Sequence, residues 1–241
     1  MMDEQRSKRA YFIKGDAVAP GAQRIHTAMK NDRRNFLILG GASLALAGCG
    51  GDLLGPPPPS PIYILEAPAP VQPMAKLPWS LSVMRPSAPN ALGGERIPLI
   101  QPDLTLDYYA NANLPDAIPD LVQDAIVLAF EKSGGPTSVA PESEALHADY
   151  DLFVDIKDFE VRYAVKDGVP EALVSLTVRL AAARGRVVAG TTTVTHRAPA
   201  SANSVTAAMQ ALGQALGAAC AEIVTWSATF PAPPGQVPPV R

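Results

Sequence analysis

Cys49 is the residue with the most specific chemistry in the chain, because of what precedes it: the stretch Leu46-Ala47-Gly48-Cys49. Small side chains just before a cysteine let a signal peptidase seat an extended backbone, and the thiol after the cut is where a lipid transferase attaches diacylglycerol. Upstream lie Lys30, Arg33 and Arg34, then an uncharged, mostly apolar run of 12 residues from Phe36 to Ala47. That run is far shorter than the roughly 20 residues a membrane-spanning helix needs. Basic stretch, short apolar stretch, small residues and cysteine, in that order, form a lipoprotein signal peptide over residues 29–48. Cys49 is then expected to carry covalent diacylglycerol and an N-acyl chain, palmitate being a typical one, and no other cofactor. Such chains together exceed what stable membrane anchoring requires.

Other reactive side chains are sparse. The histidines His26, His147 and His196 are scattered and make no metal set. The sequence holds neither a Gly-x-x-x-x-Gly-Lys phosphate loop nor a Gly-x-Ser-x-Gly elbow. Asp149, Asp151, Asp155 and Asp158 form the nearest thing to a carboxylate cluster, and paired acids can bind calcium or cleave glycosides. No glycine turn or further ligand accompanies them, so a solvated strand face that discourages edge aggregation is the preferred reading. Tyr108, Tyr109 and Asn111 are the candidate partner surface: adjacent tyrosines on a strand point to opposite faces, one towards a core and one towards a contact. Cys220 falls on an apolar helix face and reads as a buried small hydrophobe. With Cys49 acylated it has no intramolecular disulfide partner. Catalytic, cofactor-binding and metal-ligating residues are therefore none.

Charge narrows the partners. The first 48 residues hold 8 of the 20 basic and 4 of the 23 acidic side chains, so the remaining 193 carry 12 against 19, a net of −7. A surface that binds nucleic acid needs excess Lys and Arg.

The elements that must present these residues follow from periodicity. Residues 1–28 are a leader or a mis-assigned start ahead of Met29, and are expected to be disordered. Arg33-Arg34-Asn35-Phe36-Leu37, with Gly40 and Gly41 keeping the apolar run mild, fits the twin-arginine export route in part; Asp32 and Ile38 depart from it, and the general secretory route stays open. Residues 49–61, with Pro56 to Pro59, are a Gly/Pro tether. Residues 62–229 form one domain, and 230–241 a disordered proline-rich tail. Within the domain, Ile62 to Leu65, Trp79 to Val83 and Leu104 to Tyr109 read as strands. The spacing of Ile118, Leu121, Val122, Ala125, Ile126, Ala129 and Phe130 predicts a helix that starts at Pro115 to Pro119 and ends at Gly134-Gly135. Asp151 to Tyr163 alternates, but its parity shifts near Lys157-Asp158, which predicts a bulge there. Val174 to Leu180 and Val187 to Thr195 pair as a hairpin around Arg184-Gly185-Arg186, and Ser204 to Ser227 is a long amphipathic helix lying across the sheet. The expected fold is α+β, an α/β sandwich: a mixed, mainly antiparallel sheet with two main helices on one face.

Taken together, these features resemble the ABC-type transport auxiliary lipoprotein component family, whose members partner transporters with mammalian-cell-entry (MCE) domains. The resemblance rests on the lipobox ending at Cys49, on Tyr63-Ile64-Leu65, and on Tyr108-Tyr109-Ala110 before a helix. It continues through Leu152-Phe153-Val154-Asp155-Ile156-Lys157-Asp158-Phe159-Glu160, Gly185-Arg186-Val187-Val188 and Ile223-Val224-Thr225-Trp226. Asn111-Ala112-Asn113 departs from the family, which often has Trp after the tyrosine pair. The resemblance implies a non-catalytic, lipid-anchored periplasmic module of a lipid or solvent transport system, with an MCE-domain protein, an ABC permease and an ATPase as partners. A homo-oligomer is compatible with it. Gly50 after the cysteine is not the Asp that often retains lipoproteins in the inner membrane, so the outer membrane is the expected location. The alternative is an envelope-assembly lipoprotein that binds a peptidoglycan synthase or an outer-membrane protein.

Overall fold

The computed structural model describes residues 60–69, 72–144 and 147–233. The leader, the signal peptide with Leu46, Ala47, Gly48 and Cys49, residues 50–59 of the tether and the tail beyond 233 lie outside the described residues.

Alternating apolar side chains build the centre of the sheet. In β5 (Tyr150–Arg162), Leu152, Val154 and Ile156 are buried, and after a register shift between Ile156 and Asp158 so are Phe159 and Val161. Lys157 is the extra residue that restores the inward parity, so the bulge stands where the sequence pattern put it. β6 (Glu171–Ala182) pairs antiparallel with β5 along its whole length and with β7 (Val187–Pro199) on its other side. Gly185 (φ 78°) and Arg186 (φ 50°) make the tight turn between β6 and β7. A second shift, opposite Leu180 and Ala181, leaves Ala189 unpaired in β7.

Shorter strands complete the other side. β1 (Leu81–Val83) runs parallel to the start of β5, and β4 (Val139–Pro141) lies parallel outside it. β2 (Arg96–Ile100) runs parallel to the end of β5, with β3 (Leu106–Asn113) antiparallel beyond it. The result is a mixed seven-stranded sheet with β7 at one margin and β3 and β4 at the other. Its long pairings are antiparallel.

Both helices cover one face. α1 (Ile118–Ser133) has Pro119 in its first turn, where a missing N–H costs nothing, and ends on Gly134 in the left-handed conformation. α2 (Val205–Ser227) starts at Ser204, whose Oγ accepts from the Ala207 N–H at 3.2 Å. By length and composition α2 could cross a membrane, but here it is a core helix: 72% of its most apolar stretch is buried. Trp79, Ile126, Phe130, Phe159, Leu176, Leu212 and Ile223 belong to one continuous core between sheet and helices. Each such side chain contributes roughly 1.5–3 kcal/mol by leaving water.

Three features differ from the sequence reading. Of Ile62 to Leu65, only Ile62 forms a bridge, to Asn113; the segment is extended but leaves the sheet to cross the helix layer. Neither β2 nor the three-residue β4 was anticipated; Pro98 inside Arg-Ile-Pro-Leu-Ile is a poor strand residue, which the structure accommodates with a register shift between Arg96 and Pro98. Phe230 and Pro231, placed with the tail in that reading, close on the fold: the Trp79 indole donates to the Phe230 carbonyl at 3.1 Å and the Tyr150 hydroxyl to the Pro231 carbonyl at 2.8 Å.

Candidate functional site

The chain that leads from Cys49 enters the described structure at Ser60, where the following segment becomes a strap. Its first residues are pinned to β3: the Tyr63 N–H donates to the Asn113 carbonyl at 2.8 Å, and the Asn113 N–H to the Pro61 carbonyl at 3.2 Å. Glu66 to Ala69 then lie against α2 at Gly213 and Gly217, one helical turn apart. A Cβ at Gly213 would overlap the Glu66 carbonyl oxygen, and one at Gly217 would sit 2.6 Å from the Pro68 carbonyl oxygen. Glycine is required because backbone meets backbone there. Further on, the Met74 N–H donates to Ser133 and the Leu77 N–H to Gly135, seating the strap's far end at the C-terminus of α1. A groove of about 540 Å³ between strap and helix is lined by Tyr63, Ile64, Glu66, Met209, Gln210 and Gln214 among others.

The tyrosine pair divides as neighbours on a strand must. Tyr108 donates its hydroxyl to the Ala91 carbonyl at 3.0 Å, and the Arg96 guanidinium lies 3.6 Å from its ring centre, a cation–π contact. Tyr109 points the other way. Its hydroxyl is 2.8 Å from that of Tyr163, which donates to Asn203 Oδ1 at 3.0 Å, so β3, the end of β5 and the approach to α2 share one hydroxyl chain. Burial, above all, pushes the Tyr109 phenol upward, and the Tyr163 hydroxyl adds to the shift. Asn111 is exposed, with φ of 52°, a left-handed conformation that asparagine tolerates well. The three residues therefore do not present one continuous patch.

The acids are likewise separated, each with its own surroundings. Asp149 accepts from the Ser80 N–H at 2.8 Å and from its hydroxyl at 2.9 Å. Asp155 accepts from Ser87 and, at 3.2 Å, from Arg179. Asp158 pairs with Arg162 at 3.3 Å. Asp151 is raised by burial, against the pull of Arg186. Among the described residues no group of three His, Cys, Asp or Glu side chains is placed to hold a metal ion. His196 instead meets Glu222 at 2.7 Å. Cys220 is buried in the core, and burial pushes its thiol up to about 12, so it is a poor nucleophile at neutral pH.

Sequence reasoning passed over the strap and its glycine seat. The signal was present as Gly213 and Gly217 at i, i+4 inside an otherwise strong helix, where each glycine costs about 1 kcal/mol relative to alanine unless close packing requires it.

The model of the family described as ABC-type transport auxiliary lipoprotein component matches residues 63–224. The crystal structure of protein XCC0632 from Xanthomonas campestris is 29% identical with a TM-score of 0.61, covering 69% of this chain and 94% of that one. A second solved structure, 17% identical with a TM-score of 0.55, covers 69% of this chain and 98% of its own, and shares the fold. The protein bll6063 of Bradyrhizobium diazoefficiens is 31% identical over 136 residues, 56% of this chain but only 36% of that protein's length.

Proposed function

Since the chain belongs to the ABC-type transport auxiliary lipoprotein component family, we propose that it is a non-catalytic module held at a membrane by lipid on Cys49, where it docks the subunits of an ABC transport system. The eleven residue steps from Cys49 to Ser60 can place the fold at most about 40 Å from that anchor, at 3.3–3.6 Å per extended residue. The partners in this reading are an MCE-domain protein and its permease and ATPase, the cargo is lipid or solvent, and the membrane is the outer one, facing the periplasm. The observation that carries it is the lipobox at Cys49 followed, eleven residues on, by a strap built into the family domain. The strap's seat on Gly213 and Gly217 gives the tether a fixed point of attachment on the folded body, as an adaptor between membrane and transporter requires.

The test is fractionation with labelled palmitate. Wild type is expected to incorporate label, sediment with outer membranes and co-purify with a permease, an ATPase and an MCE-domain protein. Cys49→Ser is expected to lose label and sediment as a soluble protein. An unlabelled wild type, or a Cys49→Ser protein that is equally membrane-bound, refutes the anchor. Co-purification with a peptidoglycan synthase in place of the transporter favours the assembly role.

A further inference from the structure

The free margin of the sheet is β7. From Gly190 to Pro199 it pairs with β6 residue by residue without a break, and among the described residues nothing pairs with its outer side. In an antiparallel strand, alternate residues turn their N–H and C=O groups outward, so this margin offers a regular row of donors and acceptors. Natural sheets blunt such edges with lysine, proline or inward charge. Here the run Gly190 to Ala198 has neither lysine nor proline, and it holds Thr191, Thr192, Thr193, Val194 and Thr195. On the face away from the helices, Thr193 bonds Thr177 and Thr195 bonds Ser175, both at 3.0 Å, a hydroxyl ladder that reaches the margin and stops. Val187 and Val188, at the strand's start, are 66% and 54% exposed.

We propose that this edge takes an added strand from a partner polypeptide, with β-branched and hydroxyl side chains in its middle and acidic residues at the end beside Arg184 and Arg186. The inference rests on the adaptor reading and names the chemistry of its docking surface. Backbone pairing is the recognition that an unpaired edge supports. The chain's own flanks are poorly suited to be the occupant. Residues 50–61 contain Pro56 to Pro59 and Pro61, and residues 231–241 contain five prolines, each lacking the N–H a ladder needs. The described start of the tail is already committed elsewhere: the Phe230 ring packs on Gly190, and the Phe230 and Pro231 carbonyls are held by Trp79 and Tyr150.

Charge selects among the remaining occupants. β7 contains no Asp or Glu, carries His196 and Arg197 near its end, and is preceded by Arg184 and Arg186, while residues 49–241 as a whole are acidic. Arg197 pairs with Glu171 at 2.9 Å and His196 with Glu222. Arg184 and Arg186 form no ion pair among the described residues; Asp151 feels the charge of Arg186 without reaching it. Antiparallel pairing of β7 with β7 of a second copy would set the arginines at the strand's two ends beside each other, so a twofold contact through this edge is opposed. A segment with carboxylates at one end is matched.

The probe is a fluorescein-labelled peptide, Gly-Thr-Val-Ser-Val-Thr-Val-Asp-Glu, titrated into the full-length detergent-solubilised protein and followed by anisotropy. N-methylation of the peptide's alternate amides, which leaves the protein untouched, is expected to weaken binding about tenfold or more, since each factor of ten is about 1.4 kcal/mol and several backbone bonds are lost. Arg184→Glu combined with Arg186→Glu is expected to weaken it about fivefold, and replacing the peptide's Asp-Glu end by Lys-Lys to restore it. Equal binding of the methylated and plain peptides overturns the proposal, as does a copy-to-copy complex in sedimentation that the peptide does not displace. In cells, a photo-crosslinker at Thr193 is expected to capture a transporter subunit. If the transporter co-purifies with wild type but is not captured from Thr193, the edge assignment fails and the adaptor reading stands. If no transporter subunit co-purifies with wild type, the adaptor reading fails, and peptide binding then decides the edge separately.

Discussion

The two margins of the sheet are finished in opposite ways. At β3 the chain returns to its own edge: the strap bridges Asn113 through Ile62 and Tyr63, and Tyr109, Tyr163 and Asn203 tie the strand to β5 and to the approach to α2. At β7 a longer and more regular edge has no partner on its outer side among the described residues. The backbone chemistry is the same on both sides. What differs, among the described residues, is that a segment with usable N–H groups, the amino-terminal strap, reaches the end of β3 at Asn113 and none reaches the outer side of β7. Docking at β7 would leave the strap's contact with Asn113 undisturbed.

The sharpest way to break this contrast is to unseat the strap. Gly213→Ala drives a methyl group into the Glu66 carbonyl, where the opposing atom is backbone and yields little. Overpacking of this kind costs about 1–3 kcal/mol. The helix itself gains up to about 1 kcal/mol from alanine, so a net fall in Tm of a few degrees in a domain of this size, with faster proteolysis between Ser60 and Leu77, is the expected result. An unchanged Tm with an unchanged cleavage pattern would show that the strap is not held there. Gly217→Ala is expected to act in the same direction more weakly, its nearest overlap being 2.6 Å from the Pro68 carbonyl oxygen.

A smaller effect is expected from the hydroxyl chain. Tyr163→Phe removes the group that links Tyr109 to Asn203 and leaves the half-buried Tyr109 hydroxyl without that partner. Such a loss costs about 1–2 kcal/mol. Amide hydrogen exchange should accelerate in β3 while β6 and β7 stay protected; equal acceleration in both regions would erase the distinction between the margins.

The smallest effect belongs to the open edge. Thr193→Lys alters only an exposed cross-strand hydroxyl pair, and stability should change by no more than about 0.5 kcal/mol. The same substitution places a charge on the docking margin and should reduce strand addition there. A large drop in Tm would mean that β7 carries more of the fold than its exposure indicates.

Much of this architecture was legible before any coordinates. α1 showed itself through Ile118, Val122, Ile126 and Phe130 on one face with Gly134 beyond the end. α2 showed itself through a longer stripe of the same kind. The parity change between Ile156 and Phe159 located the Lys157 bulge because a strand cannot bury both halves of such a pattern without an extra residue. β2 was hidden, since Pro98 is a poor strand residue and only pairing with β3 and the end of β5 makes it one. The tyrosine pair was visible as a candidate surface, but the hydrogen-bond partners at Ala91, Tyr163 and Asn203 lie 17 to 54 residues away from them or from each other, and no local pattern reports such contacts.

Local chemistry and periodicity were therefore enough for both helices, the β6–β7 hairpin and the α+β class, because each depends on side chains within a few turns or strand repeats of one another. Which edge the strap reaches, which it leaves, and why α2 tolerates Gly213 and Gly217 depended on where distant segments meet. Glu66 and Gly213 stand nearly 150 residues apart, and an unpaired edge is defined by what fails to arrive beside it; only the assembled fold contains either fact.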